Sequence, residues 1–248
     1  MKNWHFREKE KLNDEEKSDE NDDNVTDKRK TIAEKLELYK KYGYELVSEI
    51  KEDCWLSGMH PSEIINEDKV IISVLEIFFI NNSGKKIIVW YPFRPYFYAH
   101  AHKTYEREIF SFLQKKYSNY IHSIESVEKI DLDEPNHLIG ITSTYLKISF
   151  LNVSKLIKVK SELLPRIKKN ELLNKNKNFD QIFTDDIMNK NFDPLNFIDS
   201  IREYDIPYYM RVSIDQEFFV GKWYTVSQLK GQVPIITFRE DLLRQPVL

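Results

Sequence analysis

The sequence predicts an α+β fold. Two observations indicate it: a β-rich stretch runs straight into a helical pattern at 91–117, and further strand and helix patterns follow it. The predicted centre comprises strand 95–102, helix 104–117, strands 121–130 and 143–151, helix 153–168 and strand 208–215. This βαββαβ order is the ferredoxin-like arrangement, which RNA-recognition (RRM-like) modules also use. The centre spans about 95–215, with a β-hairpin before it and β-rich strands after it.

The stretch from Tyr91 to Tyr117 predicts the first strand and helix of this centre. Pro95 disfavours the α region for Arg94, and aromatic and short side chains follow it, as in a strand. Thr104 is predicted to cap the next helix. The apolar stripe of that helix recurs at helical spacing and consists of Ile109, Phe110, Phe112 and Leu113.

Three elements are predicted before the centre. A capping-box pattern at Thr31 and Glu34 opens a short amphipathic helix that ends near Gly43. Residues 55–64 are rich in turn formers, and we expect a loop that packs onto the core. Two β-rich runs, 70–80 and 87–90, are separated by turn residues and indicate a hairpin.

Less regular patterns follow the centre's second helix. Pro165 is expected to kink or end that helix near Leu164. A Lys/Asn-rich composition over about 169–193 predicts a flexible insertion. We then expect a short helix at 194–201 and, after strand 208–215, two β-rich runs at 218–226 and 233–238.

Composition excludes several protein classes. The 248 residues include 37 basic and 40 acidic side chains, so the net charge of −3 gives no support to a wholly basic nucleic-acid binder. The single cysteine, Cys54, cannot form an internal disulfide, which favours a reducing compartment. Residues 1–30 carry intermixed positive and negative charges, which predicts a disordered tail. The basic group Lys28–Lys30 is short, so it is interpreted as part of this solvated tail rather than as a nuclear import signal. With no long apolar run and no secretory signal, we expect no membrane association.

Catalytic and metal-binding patterns are weak. The sequence has no nucleophile elbow and no glycine-rich phosphate loop. His100 and His102 share one predicted strand face, and a hypothetical metal-dependent hydrolase would add His60 as a third ligand. Asp131, Asp133 and Glu134 are interpreted as an acidic surface loop rather than an ion site.

Aromatic and basic residues favour a nucleic-acid contact. Arg94, Tyr96, Tyr98 and Lys103 are the candidates, because this type of sheet often stacks bases and the two cations flank the strand. The RNA-recognition signature is missing from the third strand, so most of these aromatics are predicted to be core. The basic stripe on the second helix is interpreted as a solvated face; it consists of Lys155, Lys158, Arg166 and Lys169.

Five ordered blocks resemble a known family. They are Trp55–Ile64, Tyr91–Tyr98, Glu134–Gly140, Arg202–Asp215 and Lys222–Val226. In order and spacing they are similar to the N-terminal domain of DNA polymerase epsilon catalytic subunits, which are family B DNA polymerases. The resemblance covers residues from about 31 to the end, excluding the insertion.

The resemblance implies a segment of a DNA-directed DNA polymerase, a nucleotidyltransferase of nuclear DNA replication. In the family, an exonuclease and a palm follow this domain, and their carboxylates hold the metal ions. None of those carboxylates can be assigned here, so the segment by itself is predicted to be inert, and an Asp-Ile-Glu strand is expected shortly beyond Leu248. The implied Mg²⁺ and cysteine-bound metal or iron–sulfur cluster belong outside this chain.

The same resemblance implies partners and a location. The partners are primer-template DNA, the exonuclease and palm domains, and accessory polymerase subunits, in the nucleus. Candidates for packing against neighbouring domains are Trp55, His60, Trp223 and Tyr224. A different class of function also remains open, namely a freestanding RRM-like module that binds single-stranded nucleic acid. An exposed apolar surface formed by Trp223, Tyr224 and the last strands would favour the polymerase segment.

Overall fold

A computed structural model describes residues 31–132, 140, 142–176 and 193–242. Residues 1–30, predicted to be a charged tail, lie outside this part of the chain, as do 243–248. The described residues form a mixed α+β structure with one six-stranded sheet, one four-stranded sheet and four helices. No helix among them has the length and apolar character needed to cross a membrane.

The helices and strands have the following bounds: α1 31–41, β1 Tyr44–Leu46, β2 Ile50–Ile65, β3 Ile71–Asn81, β4 Lys86–Pro92, β5 Tyr96–Ala101, α2 Glu106–Lys116, β6 Ile121–Lys129, β7 Ser143–Phe150, α3 Val153–Asn176, β8 Ile198–Arg202, α4 Tyr208–Gln216, β9 Trp223–Gln228 and β10 Ile235–Phe238. Single 3-10 turns at Lys103–Tyr105 and Pro194–Phe197 precede α2 and β8.

The six-stranded sheet has the order β1-β4-β3-β2-β9-β10. Only β1 and β4 pair in parallel; the other neighbours are antiparallel. The predicted hairpin is confirmed as β3 and β4, and Asn81 holds its turn by accepting hydrogen bonds from the backbone N–H of Ser83 (3.0 Å) and Lys85 (2.8 Å). The two β-rich runs near the end of the chain form β9 and β10 in the same sheet.

The loop predicted at 55–64 is wrong. These residues belong to β2, a strand of sixteen residues that pairs with both β3 and β9. The turn formers are accommodated by a register shift between Leu56 and Gly58. Pro61 lies where β2 pairs with β3 alone, and proline is tolerated at such a strand edge. Backbone pairing with β3 has therefore outweighed the local turn preference.

The four-stranded sheet has the order β6-β7-β5-β8 and is antiparallel throughout. Along the chain its elements follow the predicted sequence of strand, helix, two strands, helix and strand, over 96–202. Helices α2 and α3 cover one face. The core between them and the sheet consists of Phe97, Ala99, Ala101, Ile109, Leu113, Tyr117, Leu146, Ile148, Phe150, Leu156, Val159, Leu163, Ile167, Leu195, Ile198 and Ile201.

The last strand of this unit was assigned to the wrong residues. Residues 208–215, predicted as a strand, form α4, because Tyr208, Arg211 and Val212 are buried at helical spacing. The fourth strand is β8, within the helix predicted at 194–201. Asp193 accepts a hydrogen bond from the Leu195 N–H, and this cap supports a single 3-10 turn before the chain extends.

Two boundary predictions are also wrong. Helix α3 continues through Pro165 to Asn176, so residues 169–176 are helical rather than part of the predicted insertion, of which 177–192 lie outside the described residues. Thr104 lies inside the 3-10 turn before α2, and His102 caps that turn by accepting a hydrogen bond from the Thr104 N–H. Helix α1, by contrast, covers 31–41, which confirms the short helix predicted from Thr31 to near Gly43.

The two sheets are joined at the start of α3. The Ser73 N–H in β3 donates to the Leu151 carbonyl (3.1 Å), and the Ser73 hydroxyl oxygen accepts from the Val153 N–H (2.9 Å). The Asn152 amide donates to the Ile71 carbonyl (2.9 Å). The Ser73 side chain of the six-stranded sheet thus satisfies a backbone donor at the start of α3, directly after the four-stranded sheet. These bonds fix the relative position of the two sheets.

Helix α1 is held on the six-stranded sheet by a buried carboxylate. Glu76 in β3 is 2% exposed and accepts hydrogen bonds from the Lys35 ammonium (2.7 Å) and the Tyr39 hydroxyl (2.9 Å). Burial and the bond to Glu76 raise the pKa of Tyr39, so it remains a donor at neutral pH. The Tyr39 ring also contacts Phe78 edge-on at 5.2 Å between centroids.

We predict that Glu76→Gln lowers the free energy of unfolding by about 1–3 kcal/mol, since the Lys35 ammonium loses its buried counter-charge. Urea unfolding measures this change. The control is Glu67→Gln at an exposed position, which should alter the value by less than about 0.5 kcal/mol. Equal stability of the two variants would show that Glu76 does not hold α1.

Candidate nucleic-acid interface

The face of the four-stranded sheet opposite α2 and α3 carries three tyrosines. Tyr96 and Tyr98 alternate along β5 with residues of the helix-covered core, and Tyr145 lies in β7. The rings of Tyr96 and Tyr98 are 5.3 Å apart, and those of Tyr98 and Tyr145 are 6.4 Å apart, both edge-on. We call these three residues the tyrosine cluster.

The tyrosine cluster is buried, with Tyr96, Tyr98 and Tyr145 exposed by 6%, 5% and 2%. Basic side chains cover its rings. The Lys147 ammonium is 4.2 Å from the Tyr96 ring centre and the Lys129 ammonium is 3.9 Å from that of Tyr98. Such cation–π contacts are stabilising, and a nucleic-acid base could stack here only by displacing them.

Arg211 of α4 is the best-connected cation at this face. Its guanidinium is 4.5 Å from the Tyr96 ring centre, donates to the Tyr96 hydroxyl (3.2 Å) and to the Glu203 carbonyl (3.1 Å), and also pairs with the Glu203 carboxylate. The Tyr96 hydroxyl in turn donates to Asp215 (2.5 Å). Glu203 has a left-handed backbone (φ 58°), and both its carbonyl and its carboxylate bond to Arg211.

The pKa directions agree with this hydrogen-bonding pattern. Burial alone would lower the pKa of Arg211, but the bond to Glu203 and nearby anionic groups raise it overall. Burial and the bond to Asp215 raise the pKa of Tyr96. Arg211 therefore stays charged and Tyr96 stays a neutral donor at physiological pH.

Carboxylates compensate two further cations of the face. Lys129 lies 3.4 Å from Glu203, and Arg202 donates to Asp131 at 2.9 Å. Asp131, predicted to lie in an acidic loop, also accepts from the Tyr145 hydroxyl. Its predicted loop neighbours Asp133 and Glu134 are outside the described residues. The charges of this face largely satisfy one another.

The remaining predicted contact residues lie elsewhere. Arg94 is half-buried between β4 and β5, and burial lowers its pKa. The backbone of Lys103 forms a 3-10 turn, but its side chain lies outside the described part of the structure. Sequence reasoning missed Lys129, Lys147 and Arg211; the cross-strand pairing of Lys147 with Tyr98 becomes visible only once the register is known.

The candidates for inter-domain packing are less exposed than expected. Trp223 and Tyr224 in β9 are 6% and 1% exposed, and the Tyr224 hydroxyl accepts a hydrogen bond from the Phe219 N–H at 2.7 Å. Trp55 in β2 is half-buried and pairs with Trp223. His60 is exposed, with its ring nitrogen 3.7 Å from Glu76. Within this set, only His60 presents a largely open side chain.

The three histidines of the hydrolase hypothesis belong to different parts of the fold. His60 lies in the six-stranded sheet, His100 stacks on Tyr145 in the four-stranded sheet, and His102 caps a 3-10 turn. Among the described residues, no group of three or more His, Cys, Asp or Glu is placed to hold a metal ion. Burial raises the pKa of Cys54 to about 12, which disfavours a nucleophilic thiolate there.

Known proteins with similar sequences are DNA polymerases. The DNA polymerase epsilon catalytic subunit of Aspergillus fumigatus is 34% identical in an alignment of 214 positions that covers 78% of this chain and 10% of the relative. Its counterpart from Arabidopsis thaliana is 35% identical over 212 residues, covering 84% and 10%. This chain belongs to the DNA polymerase epsilon catalytic subunit family. The predicted family resemblance is thus confirmed, although no protein-family model matches the chain.

The similarity to polymerase epsilon is confined to one region. The chain spans about a tenth of the length of these curated relatives and corresponds to their N-terminal region. Among solved structures, a family B DNA polymerase from Pyrobaculum calidifontis is 18% identical, with a TM-score of 0.46, over 76% of this chain and 20% of that one. A similarity at this level supports no argument about function.

We predict that Arg211→Lys lowers the free energy of unfolding by about 1–3 kcal/mol, since an ammonium cannot reproduce the forked contacts with Glu203 and Tyr96. Urea denaturation checks this value. Arg107→Lys, at an exposed position of α2, is the matched control and should shift stability by less than about 0.5 kcal/mol. If the Arg211 variant is as stable as its control, the guanidinium geometry is not needed.

Proposed function

We propose that this chain is the N-terminal, non-catalytic segment of a replicative DNA-directed DNA polymerase. It supports the exonuclease and palm domains and helps to hold template DNA during nuclear DNA replication. The observation that carries this proposal is the 34–35% identity to the N-terminal region of polymerase epsilon catalytic subunits. Primer-template DNA and accessory polymerase subunits are its proposed partners.

The proposed lack of catalysis in this segment agrees with the chemistry of nucleotidyl transfer. Polymerases of this type position metal ions with paired carboxylates. The acidic residues of the described sheet face are bonded to Arg202, Arg211 and Tyr96. We propose that the Mg²⁺ and the cysteine-bound metal or cluster of the complete enzyme bind outside this segment.

An exposed apolar surface supports the scaffold role. Large apolar side chains on α4, on the loop after it and on β10 are between 42% and 60% exposed; they are Met210, Ile214, Phe219, Val220 and Phe238. Tyr224 connects the two ends of this surface, because its hydroxyl bonds to the Phe219 backbone and its ring is 5.6 Å from that of Phe238. We call it the C-terminal apolar surface, and we propose that neighbouring polymerase domains cover it.

The four-stranded unit supports a ferredoxin-like assignment, because its strand order and its two helices on one face match that arrangement. Its open face gives less support to the alternative, a freestanding RRM-like module. Such modules stack bases on exposed aromatic rings, whereas here basic side chains cover the tyrosine cluster.

The chain by itself should incorporate no nucleotide and cleave no strand, but should bind DNA weakly, with a Kd of about 10⁻⁴–10⁻⁶ M that rises steeply with salt. Primer-extension and exonuclease assays test the first expectation, and band shifts at low and moderate salt test the second. A complete family polymerase is the positive control. Extension by the purified chain, or tight salt-resistant binding, would contradict the proposal.

Replacing two residues of the C-terminal apolar surface, in Ile214→Gln/Phe219→Gln, should weaken association with the separately purified exonuclease and palm portion by about tenfold or more, because buried apolar contact is lost. Sedimentation measures the association. The control pair Leu38→Gln/Tyr42→Gln changes exposed apolar residues in the last turn of α1 and directly after it, and it should have no effect. Unaltered association of the first pair would remove this surface from the interface.

A further inference from the structure

We propose that the phosphodiester backbone of single-stranded DNA binds at the corner between α2 and β6. The side chains that form this basic corner are Arg94, Lys116, His122, Lys155 and Lys158. The inference rests on the proposed DNA contact and assigns it to a surface away from the tyrosine cluster. Of the five residues, only Arg94 is among the nucleic-acid contacts predicted from the sequence.

The corner is built around the turn 117–120, which connects α2 to β6. The Lys155 ammonium donates to the Asn119 carbonyl at 2.9 Å, and the Lys158 ammonium is 4.9 Å from the Tyr120 ring centre. From α2, the Lys116 ammonium is 5.0 Å from the ring of Tyr117. Two helices thus bring three ammonium groups to one turn.

Beyond the turn, the same positive region continues into β6. His122 occupies a register shift between Ile121 and Ser123, where β6 is irregular against β7. Partial burial and the positive charge of Arg94 lower the pKa of His122, opposed by Glu125. The Pro95 carbonyl accepts from the Phe150 N–H (2.8 Å), and Phe150 pairs with Ile121, so the β4–β5 connection with Arg94 lies beside the start of β6.

The balance of charge distinguishes this corner from the open sheet face. Around Arg211, carboxylates raise the pKa of the cation. At the corner, burial lowers the pKa of Lys155, while the bond to the Tyr120 hydroxyl raises that of the exposed Lys158. A lowered pKa in a cation means that its surroundings do not fully replace the water it has lost. An added anion would supply that compensation.

The acidic groups near the corner are few. Glu162 of α3 accepts a hydrogen bond from the Tyr117 hydroxyl at 3.1 Å and also attracts Lys158. Glu125 faces His122. Among the described residues, the contacts found for Lys116, Lys155 and Lys158 are with aromatic rings and a backbone carbonyl, and no ion pair is found for these three.

Phosphodiester oxygens fit this combination of groups. Ammonium groups spaced along one turn can follow a flexible phosphate backbone. Single strands fit better than a rigid duplex, because the cations lie around a corner rather than along a straight line. Recognition should depend on charge and be independent of sequence.

The test uses the full 248-residue chain and a fluorescein-labelled oligothymidylate. Removing two charges, in Lys116→Gln/Lys158→Gln, should weaken binding by about tenfold at low salt and reduce the salt slope by about 1.4, at roughly 0.7 per phosphate contact. Both lysines are exposed, so the fold should be unaffected, and thermal unfolding verifies this. The matched control is Lys51→Gln/Lys230→Gln, which removes two exposed charges from the region of the other sheet.

The outcomes separate this inference from the proposed function. Selective loss of binding in the first pair supports the corner. Equal effects of the two pairs would overturn the corner while leaving a DNA contact elsewhere. No binding by the unmodified chain at low salt would overturn both. Inorganic phosphate and thymidine monophosphate are then tested as competitors against unlabelled oligonucleotide. If they compete as effectively per phosphate, the corner is a simple phosphate site, and the assignment to a DNA strand is overturned.

Discussion

The contact between Arg211 and Tyr96 is the constraint on which the arrangement of the molecule depends. Arg211 comes from α4, whose neighbouring residues Tyr208 and Val212 pack into the core of the six-stranded sheet. Tyr96 belongs to the four-stranded sheet, and its ring and hydroxyl both contact the guanidinium. One helix therefore packs on one sheet and bonds to the other, so a shift of either sheet would leave a buried charge without its partners.

The same contact explains why the open sheet face is poorly suited to stacking nucleic-acid bases. A buried arginine requires anionic partners, and Glu203 and Asp215 supply them around the tyrosine cluster. Lysines then cover the remaining ring faces. A surface whose charges are satisfied internally has little to gain from a phosphate, whereas the basic corner at Lys155 and Lys158 retains the positive field that a strand would neutralise.

The exposed apolar surface and the family relationship both support the proposal that this chain is one segment of a larger polymerase. The chain corresponds to about a tenth of its curated relatives' length, and large apolar side chains such as Ile214 and Phe219 are exposed. Under the proposed function, contact with neighbouring polymerase domains would bury this surface and supply hydrophobic free energy. The buried Trp223 and Tyr224 contribute indirectly, because they support the residues that form the surface.

The sequence by itself determined the α+β class, the βαββαβ order, the β3–β4 hairpin and the family, since periodicity and ordered motifs are local properties of the chain. Tertiary structure decided which residues form the last strand: 208–215 alternate enough to suggest β structure, but packing on both sheets favours the helix that buries Tyr208, Arg211 and Val212. It also placed 55–64 in β2 and covered Tyr96 and Tyr98 with cations. These outcomes depend on strand register and on partners distant in sequence, such as Lys129 and Arg211, and no local pattern specifies which cation will lie over which ring.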